Sequence, residues 1–141
     1  MNKITFVNGQ APALNAYNLN LLQSNVEQAI NDITNEYSSN EIIVGKWING
    51  ETIYRKVFNF TTSSSSVTTW TNIVEISNNL DKIINMYGYT EFGGNKTPIP
   101  RYESSSYYLI FLVSGNYLRY RCVGFTSVDC YLVIEYTKNS D

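Results

Sequence analysis

The sequence predicts a mainly β protein with one N-terminal α-helix: a short trimerising helix followed by an antiparallel β-sandwich head of seven or eight strands. The helix is predicted because residues 14–37 are the only segment whose apolar residues recur at helical spacing. The head is predicted because the rest of the chain consists largely of short β-rich runs between turn residues. Twelve tyrosines among many Asn, Ser and Thr also favour sheets with uncharged polar surfaces. The expected boundary lies at Asn40, so residues 1–40 form the N-terminal segment and residues 41–141 the head.

The predicted helix carries one narrow apolar stripe. Its members recur at steps of three, four, three and four residues: Leu19, Leu22, Val26, Ala29 and Ile33. A thin stripe at heptad spacing favours a seam between identical parallel helices, and the expected assembly is a homotrimer. A single amphipathic helix lying on the sheet of its own chain is the alternative. A short strand is expected at residues 4–7, and Asn15 or Asn18 is expected to cap the helix.

The clearest local pattern in the head is a hairpin around Asn49-Gly50. Two β-rich runs flank this dipeptide, which tolerates the positive φ angles of a two-residue type I′ turn. Such a turn would pair Trp47 with Thr52. Apolar residues then fall on both sides of the hairpin, so both faces are expected to be covered.

Further strands are predicted from β-rich runs at residues 67–77, 82–92, 107–113, 117–123 and 130–136. A helix is the competing prediction for residues 80–87, and residues 93–98 are expected to form a loop. Pro100 is expected to keep the following Arg101 and Tyr102 at a sheet edge. The run at 107–113 is apolar without alternation, which predicts a central strand buried on both faces.

The last two runs are predicted to pair as a hairpin closed around Thr126. This register aligns apolar residues on one face: Leu118 with Ile134, Tyr120 with Leu132, and Cys122 with Cys130. A slip of one residue would instead bury Arg119 and Arg121. The two cysteines are expected to be a reduced, buried pair in a protein made in a reducing cytosol, with a cross-strand disulfide as the alternative.

The composition provides little for catalysis or metal binding. Without any His, the chain has no Ser-His-Asp or Cys-His nucleophile and no His to complete a zinc set. Four carboxylates could include a glycosidase pair, but their spacing in the sequence does not demand one: Glu91, Glu103, Asp129 and Glu135. The sequence therefore predicts no enzyme, no cofactor and no metal.

Charge and hydropathy exclude two classes of partner. A net charge of −2 with 16% charged residues leaves no basic face for nucleic acid. No apolar run approaches the length of a membrane-spanning helix, and the first residues lack the apolar core of a secretory signal. Neither membrane insertion nor export by a cleaved signal is therefore expected.

Several segments of the chain carry compact motifs. The opening ITFVNGQAPALNAYNLNLLQSNVEQAIN is similar to the "F-x-N-G-x-x-P-x-(I/L)-N-A-x-N-L-N" run that precedes a helix in structural proteins of phages and prophages of Gram-positive bacteria. The stretch EIIVGKWINGETIYRK resembles the "VGxWxxGKxIYRK" hairpin that opens a C-terminal domain in tail-fibre, head-fibre and minor structural proteins. Matches to "(I/L)-D-x-I-I" at residues 80–84 and to "EYTK" at residues 135–138 extend the resemblance over nearly the whole chain. Glu51-Thr52 departs from the Lys-Pro that the family often has.

The resemblance implies a non-enzymatic fibre or receptor-binding protein, synthesised in the host cytoplasm and located in the virion. Its expected partners are its own copies in a homotrimer, other virion structural proteins, and a host surface glycan or protein. The alternatives are a monomeric carbohydrate-binding module, a decoration or connector protein without a receptor role, and a small cell-wall hydrolase.

Exposed aromatic rings flanked by amides and hydroxyls are the groups that bind sugars. Among residues 87–108, the rings with the fewest apolar neighbours in sequence are Tyr89, Phe92 and Tyr102. These three residues are the predicted receptor contacts. The alternative is that they are core or trimer contacts.

Overall fold

The structure, a computed structural model, describes residues 16–34 and 37–139, with the side chains of residues 31–34 excepted. This part of the chain is mainly β, with one helix and two antiparallel sheets. The chain divides into two compact units, one that contains the helix and one that begins at Tyr37. The predicted strand at residues 4–7 and the predicted cap Asn15 lie outside the described residues.

The helix α1 spans Ala16–Thr34, within the predicted range, and Asn18 lies inside it rather than before it. Leu19, Leu22 and Val26 of the apolar stripe are between 47% and 56% exposed. Ala29 is half-buried, and the side chain of Ile33 lies outside the described part. The described part of the stripe is thus largely accessible.

The described residues contain nine strands, one or two more than predicted. Their bounds are β1 Ile42–Lys46, β2 Thr52–Thr61, β3 Val67–Glu75, β4 Leu80–Phe92, β5 Asn95–Ile99, β6 Arg101–Ser104, β7 Tyr107–Ser114, β8 Tyr117–Val123 and β9 Asp129–Lys138. A five-stranded sheet has the order β1-β2-β9-β4-β5, and a four-stranded sheet has the order β3-β8-β7-β6. As predicted, β6 lies at an edge. The helix considered for residues 80–87 is wrong, because these residues belong to β4.

The first hairpin forms where predicted, but its register differs. Gly50 has φ +88°, whereas Asn49 does not have a positive φ, so the two residues do not form a type I′ turn. The Gly50 N–H donates to the Trp47 carbonyl at 2.8 Å, and the Trp47 N–H donates to the Glu51 carbonyl at 2.8 Å. The loop therefore has three residues, a type I turn followed by a left-handed glycine. This shifts the pairing by one residue, so Thr52 lies opposite Lys46 and not opposite Trp47.

The predicted loop at residues 93–98 instead forms the turn of a hairpin and most of its second strand, β5. Gly93 and Gly94 have φ +57° and +81°, the positive pair that a two-residue type I′ turn requires. The turn sets Phe92 opposite Asn95, and β5 continues along the edge of the five-stranded sheet. Pro98 is tolerated there because an edge strand does not need every N–H for the ladder.

The predicted hairpin between the last two runs is wrong. β8 pairs with β3 and β7, whereas β9 pairs with β2 and β4 in the other sheet. The alternation behind the prediction is nevertheless correct, since the six aligned side chains are all buried: Leu118, Tyr120, Cys122, Cys130, Leu132 and Ile134. They belong to one hydrophobic cluster formed by both sheets. Apolar residues at every second position identify the buried face of a strand, but they do not identify the strand that pairs with it.

The two cysteines are free and buried, as expected of a reduced pair. Burial raises the pKa of the Cys130 thiol to about 12 and also raises the pKa of Cys122. Both thiols therefore remain protonated at neutral pH and pack as small apolar groups.

Two predictions of burial on both faces of the sheet, one for the first hairpin and one for β7, are only partly correct. β7 lies inside its sheet, between β8 and β6, and its Tyr108 and Leu109 are buried. Leu112, on the face opposite the core, is exposed, so the strand is not buried on both faces. Most residues of β2 are half-buried, but Ile43 of β1 is exposed. Apolar composition alone therefore overestimated how far the outer faces are covered.

Candidate functional site

The candidate site is a groove on the face of the five-stranded sheet that points away from the core. Its base comes from adjacent central strands, β2, β9 and β4, whose residues align in two rows. One row is Asn59, Tyr131 and Tyr89, and the next is Val57, Val133 and Tyr87. These residues alternate along each strand with core residues such as Phe58 and Leu132, so their side chains point outward.

The groove encloses about 560 Å³. It is lined by Tyr37, Ser39, Val57, Asn59, Tyr87, Gly88, Tyr89, Tyr131 and Val133. Four of these residues are tyrosines, and the two valines provide an apolar floor. The Asn59 amide, the Ser39 hydroxyl and the tyrosine hydroxyls are the polar groups available to a ligand.

Tyr37 forms one wall and is held by three contacts around it. The Val57 N–H donates to the Ser38 carbonyl at 2.8 Å, which keeps the chain beside β2. The Arg55 guanidinium lies 4.6 Å from the centre of the Tyr37 ring, in cation–π geometry. The Tyr87 hydroxyl donates to the Tyr37 hydroxyl at 3.2 Å. Tyr37 is therefore positioned by the sheet.

Two charged groups near the groove are paired with each other, whereas the Lys96 Nζ lies 5.2 Å from the centre of the Tyr89 ring in cation–π geometry. Arg55 forms an ion pair with Glu135 at 2.7 Å, and both side chains are largely buried. Within the described part of the chain, no Asp, Glu, Lys or Arg is among the residues that line the groove. Burial, followed by the hydrogen bond to Tyr37, raises the pKa of Tyr87 to about 12. Tyr87 therefore keeps its proton at neutral pH, and the groove presents uncharged hydrogen-bonding groups.

The opposite wall is a pair of stacked tyrosines. The Tyr89 and Tyr131 rings lie 5.0 Å apart between centroids, with 22° between their planes. Offset stacking of this kind holds the two rings in fixed positions relative to each other. Aromatic rings beside amide and hydroxyl groups can bind a ligand that has both apolar and hydroxylated faces.

The structure does not bring the three predicted contact residues together. Tyr89 lies in the groove. Phe92, 66% exposed, lines a separate cavity of about 320 Å³ that also contains Tyr107. Tyr102, 64% exposed, lies on the four-stranded sheet and stacks on Tyr108 at 5.8 Å. Of the predicted contacts, only Tyr89 therefore lines the groove.

Sequence reasoning missed most of the groove: Tyr37, Asn59, Tyr131, and the two valines on its floor. The sequence did contain a pattern that could have identified these residues, because outward-facing residues recur at every second position in β2, β4 and β9. The sequence did not show that these three strands are neighbours, because β9 was expected to pair with β8.

The carboxylates considered for glycosidase chemistry lie outside the groove. Glu135 is paired with Arg55, and Glu103 is paired with Arg101. Glu91 lies opposite Asp129 across β4 and β9. Within residues 16–34 and 37–139, no group of three or more potential metal-ligating side chains occurs. No helix of the described part is long and apolar enough to cross a membrane.

Known proteins provide no further guide to this site. Comparison with them finds no matching family model, no matching curated protein and no matching solved structure.

Proposed function

We propose that this chain is a non-enzymatic attachment module of a phage or phage-derived particle, and that it binds a host surface carbohydrate in the tyrosine-lined groove. The observation that carries the proposal is the groove itself. Ligand sites combine apolar and aromatic walls with a few polar groups that fix orientation. Here stacked rings offer a surface for the C–H face of a sugar, and Asn59, Ser39 and tyrosine hydroxyls offer hydrogen bonds.

The described residues that line the groove are all uncharged, which supports recognition of an uncharged sugar rather than its hydrolysis. Glycoside hydrolysis requires two carboxyl groups flanking the scissile bond. Glu135 forms an ion pair with Arg55, and neither it nor Asp129, which is two residues from Tyr131, is among the residues that line the groove. The module is therefore proposed to hold its ligand without cleaving it.

The proposed assembly is a homotrimer of β-sandwich heads joined through α1, together with other virion structural proteins. Two antiparallel sheets that share one hydrophobic cluster support the sandwich. The accessible stripe of Leu19, Leu22 and Val26 supports association through the helix. Three weak sites on one trimer would gain strength by avidity. A monomeric carbohydrate-binding module would use the same groove but would leave the stripe without a partner.

Binding to purified Gram-positive cell-wall polysaccharides tests the proposal. Y89A removes one of the two stacked rings, so we expect an affinity about tenfold weaker, the scale of a central aromatic contact. Y89F keeps the ring and should retain most of the binding. F92A removes an exposed aromatic ring outside the groove and should bind like the wild type.

Melting temperatures measured for all three variants separate lost binding from lost folding. The proposal fails if the wild type binds none of these polysaccharides, or if folded Y89A binds as tightly as F92A.

A further inference from the structure

The four-stranded sheet carries two adjacent arginines on its outer face. Leu118, Tyr120 and Cys122 of β8 point into the core, so the alternating Arg119 and Arg121 point the other way. Residues two apart on a strand are separated by about 7 Å along it. The two guanidinium groups thus lie side by side on one surface.

Neither arginine has an acidic partner among the described residues. The buried Nε atoms of Arg119 and Arg121 have no hydrogen-bond partner. By contrast, Arg55 and Arg101 each form an ion pair with a glutamate. A buried donor without an acceptor is destabilising, and the deficit is larger for a charged group. Each guanidinium therefore keeps a positive charge that no acidic side chain in the described part of the chain compensates.

The fold accounts for the missing partners. In the register of the sheet, Arg119 lies opposite Leu112 of β7 and Asn72 of β3, and Arg121 lies opposite Ile110. The Arg121 guanidinium lies 4.6 Å from the centre of the Trp70 ring. Apolar and aromatic neighbours orient the arginines and partly exclude water, which strengthens their attraction for an anion.

A carboxylate on the same face does not neutralise the pair. Glu75 lies opposite Tyr117, two residues before Arg119 on β8, and forms no ion pair with either arginine among the described residues. Both arginines are therefore cations without an ion pair in this part of a chain whose net charge is −2.

We propose that this face is a second binding site, which takes an anionic polysaccharide through its carboxylate or phosphate oxygens. Arg119 and Arg121 would bind the oxyanion, because a planar guanidinium matches both groups with two parallel hydrogen bonds. Exposed rings border the pair on both sides, with Trp70 on β3 and Tyr102 stacked on Tyr108 on the far side. This combination of rings and cations fits an acidic sugar chain. A nucleic acid would require a larger basic surface than two arginines.

The site is distinct from the tyrosine-lined groove, which lies on the other sheet and whose described lining residues are all uncharged. The two sites would therefore select different parts of a surface glycan, one neutral and one acidic. Either site can exist without the other.

Titration calorimetry with three polymers tests the second site: oligogalacturonate, which carries carboxylates; a glycerol phosphate oligomer, which carries phosphodiesters; and uncharged dextran. We expect the full chain to bind at least one charged polymer, with an affinity that falls as salt increases. The charged polymer that binds more tightly identifies the preferred oxyanion. Any heat from dextran should be the same for the wild type, R119Q and R121Q, because an uncharged polymer does not use the arginines.

R119Q and R121Q should each weaken binding of the charged polymer about tenfold. R121K keeps the charge but loses the planar donor pair, so it should fall between the wild type and R121Q. K46Q is the matched control, because Lys46 is an exposed cation of β1 on the other sheet. It should bind like the wild type.

The proposal is overturned if neither charged polymer binds, or if R121Q and K46Q, both folded, bind equally. It is also overturned if R119Q or R121Q lowers the oligomeric mass measured by light scattering. That result would assign the arginines to a contact between copies of this chain.

Discussion

Gly88 determines how closely β4 approaches β9 behind the groove. It lies between Tyr87 and Tyr89, the two tyrosines that β4 contributes. A Cβ added at this position would lie 1.9 Å from the Tyr131 carbonyl oxygen and 3.0 Å from the Leu132 Cα. Both atoms belong to backbone, which cannot rotate away. Only glycine therefore fits, and the close approach sets the spacing of the tyrosine rings.

G88A is expected to lower the free energy of unfolding by about 3 kcal/mol, the upper end of the usual overpacking range. The strain arises because the strands must move apart to admit the methyl group. Urea denaturation measures the change. G45A is the matched control, since a Cβ at Gly45 would have no atom within 4 Å. Equal stability of the two variants would show that β4 and β9 are not held this close.

For individual residues, the sequence predicted which side chain is a contact residue better than it predicted which side chains pack against it. Tyr89 was a predicted contact and lies in the groove, because a tyrosine with polar neighbours in sequence tends to be accessible. Tyr131 was not predicted as a contact, although it stacks directly on Tyr89. That contact joins residues 42 positions apart and depends on which strands are adjacent.

Among the elements, turn conformation explains the errors in the β-hairpins. Asn49-Gly50 and Gly93-Gly94 both suit a tight turn, yet only the second pair adopts positive φ at both positions. The first hairpin gains a third loop residue, and its pairing shifts by one. Composition predicts that a turn occurs, whereas the loop length depends on conformations that Asn can adopt or avoid.

Strand pairing is the larger limit on prediction. The inward faces of β8 and β9 were identified correctly from their alternation, but the strands were assigned to each other. Two strands whose apolar faces oppose each other across a core show the same pattern as two strands paired in one sheet. Long-range topology separates these cases, and one sequence does not contain that information in its local pattern.

The helix α1 supports a prediction about assembly. L22D/V26D would put several carboxylates against one another in the proposed dry seam, which is strongly unfavourable. Light scattering should report about three times the 16.1 kDa chain mass for the wild type and a smaller species for this variant. S24D/Q28D adds the same charge at exposed polar positions of α1 and should leave the mass unchanged.

If L22D/V26D keeps the mass of the wild type, the stripe is not the seam. A wild type of single-chain mass would favour the monomeric carbohydrate-binding module instead.

In the whole molecule, the proposed functions are divided between two sheets that share one core. The five-stranded sheet presents the uncharged tyrosine-lined groove, and the four-stranded sheet presents the arginine pair. Packing within the core fixes both surfaces, so neither site needs a loop to close over it. A trimer would carry three copies of each site, and weak individual contacts would then add through avidity.

The most direct test of the central claim is an NMR titration of the ¹⁵N-labelled protein with neutral fragments of Gram-positive cell-wall polysaccharide. Binding in the tyrosine-lined groove predicts that the largest amide shifts fall at Asn59, Tyr87, Gly88, Tyr89 and Tyr131. The absence of shifts at these residues, or shifts confined to the surroundings of Phe92 or to the four-stranded sheet, would contradict the proposed attachment function of the groove.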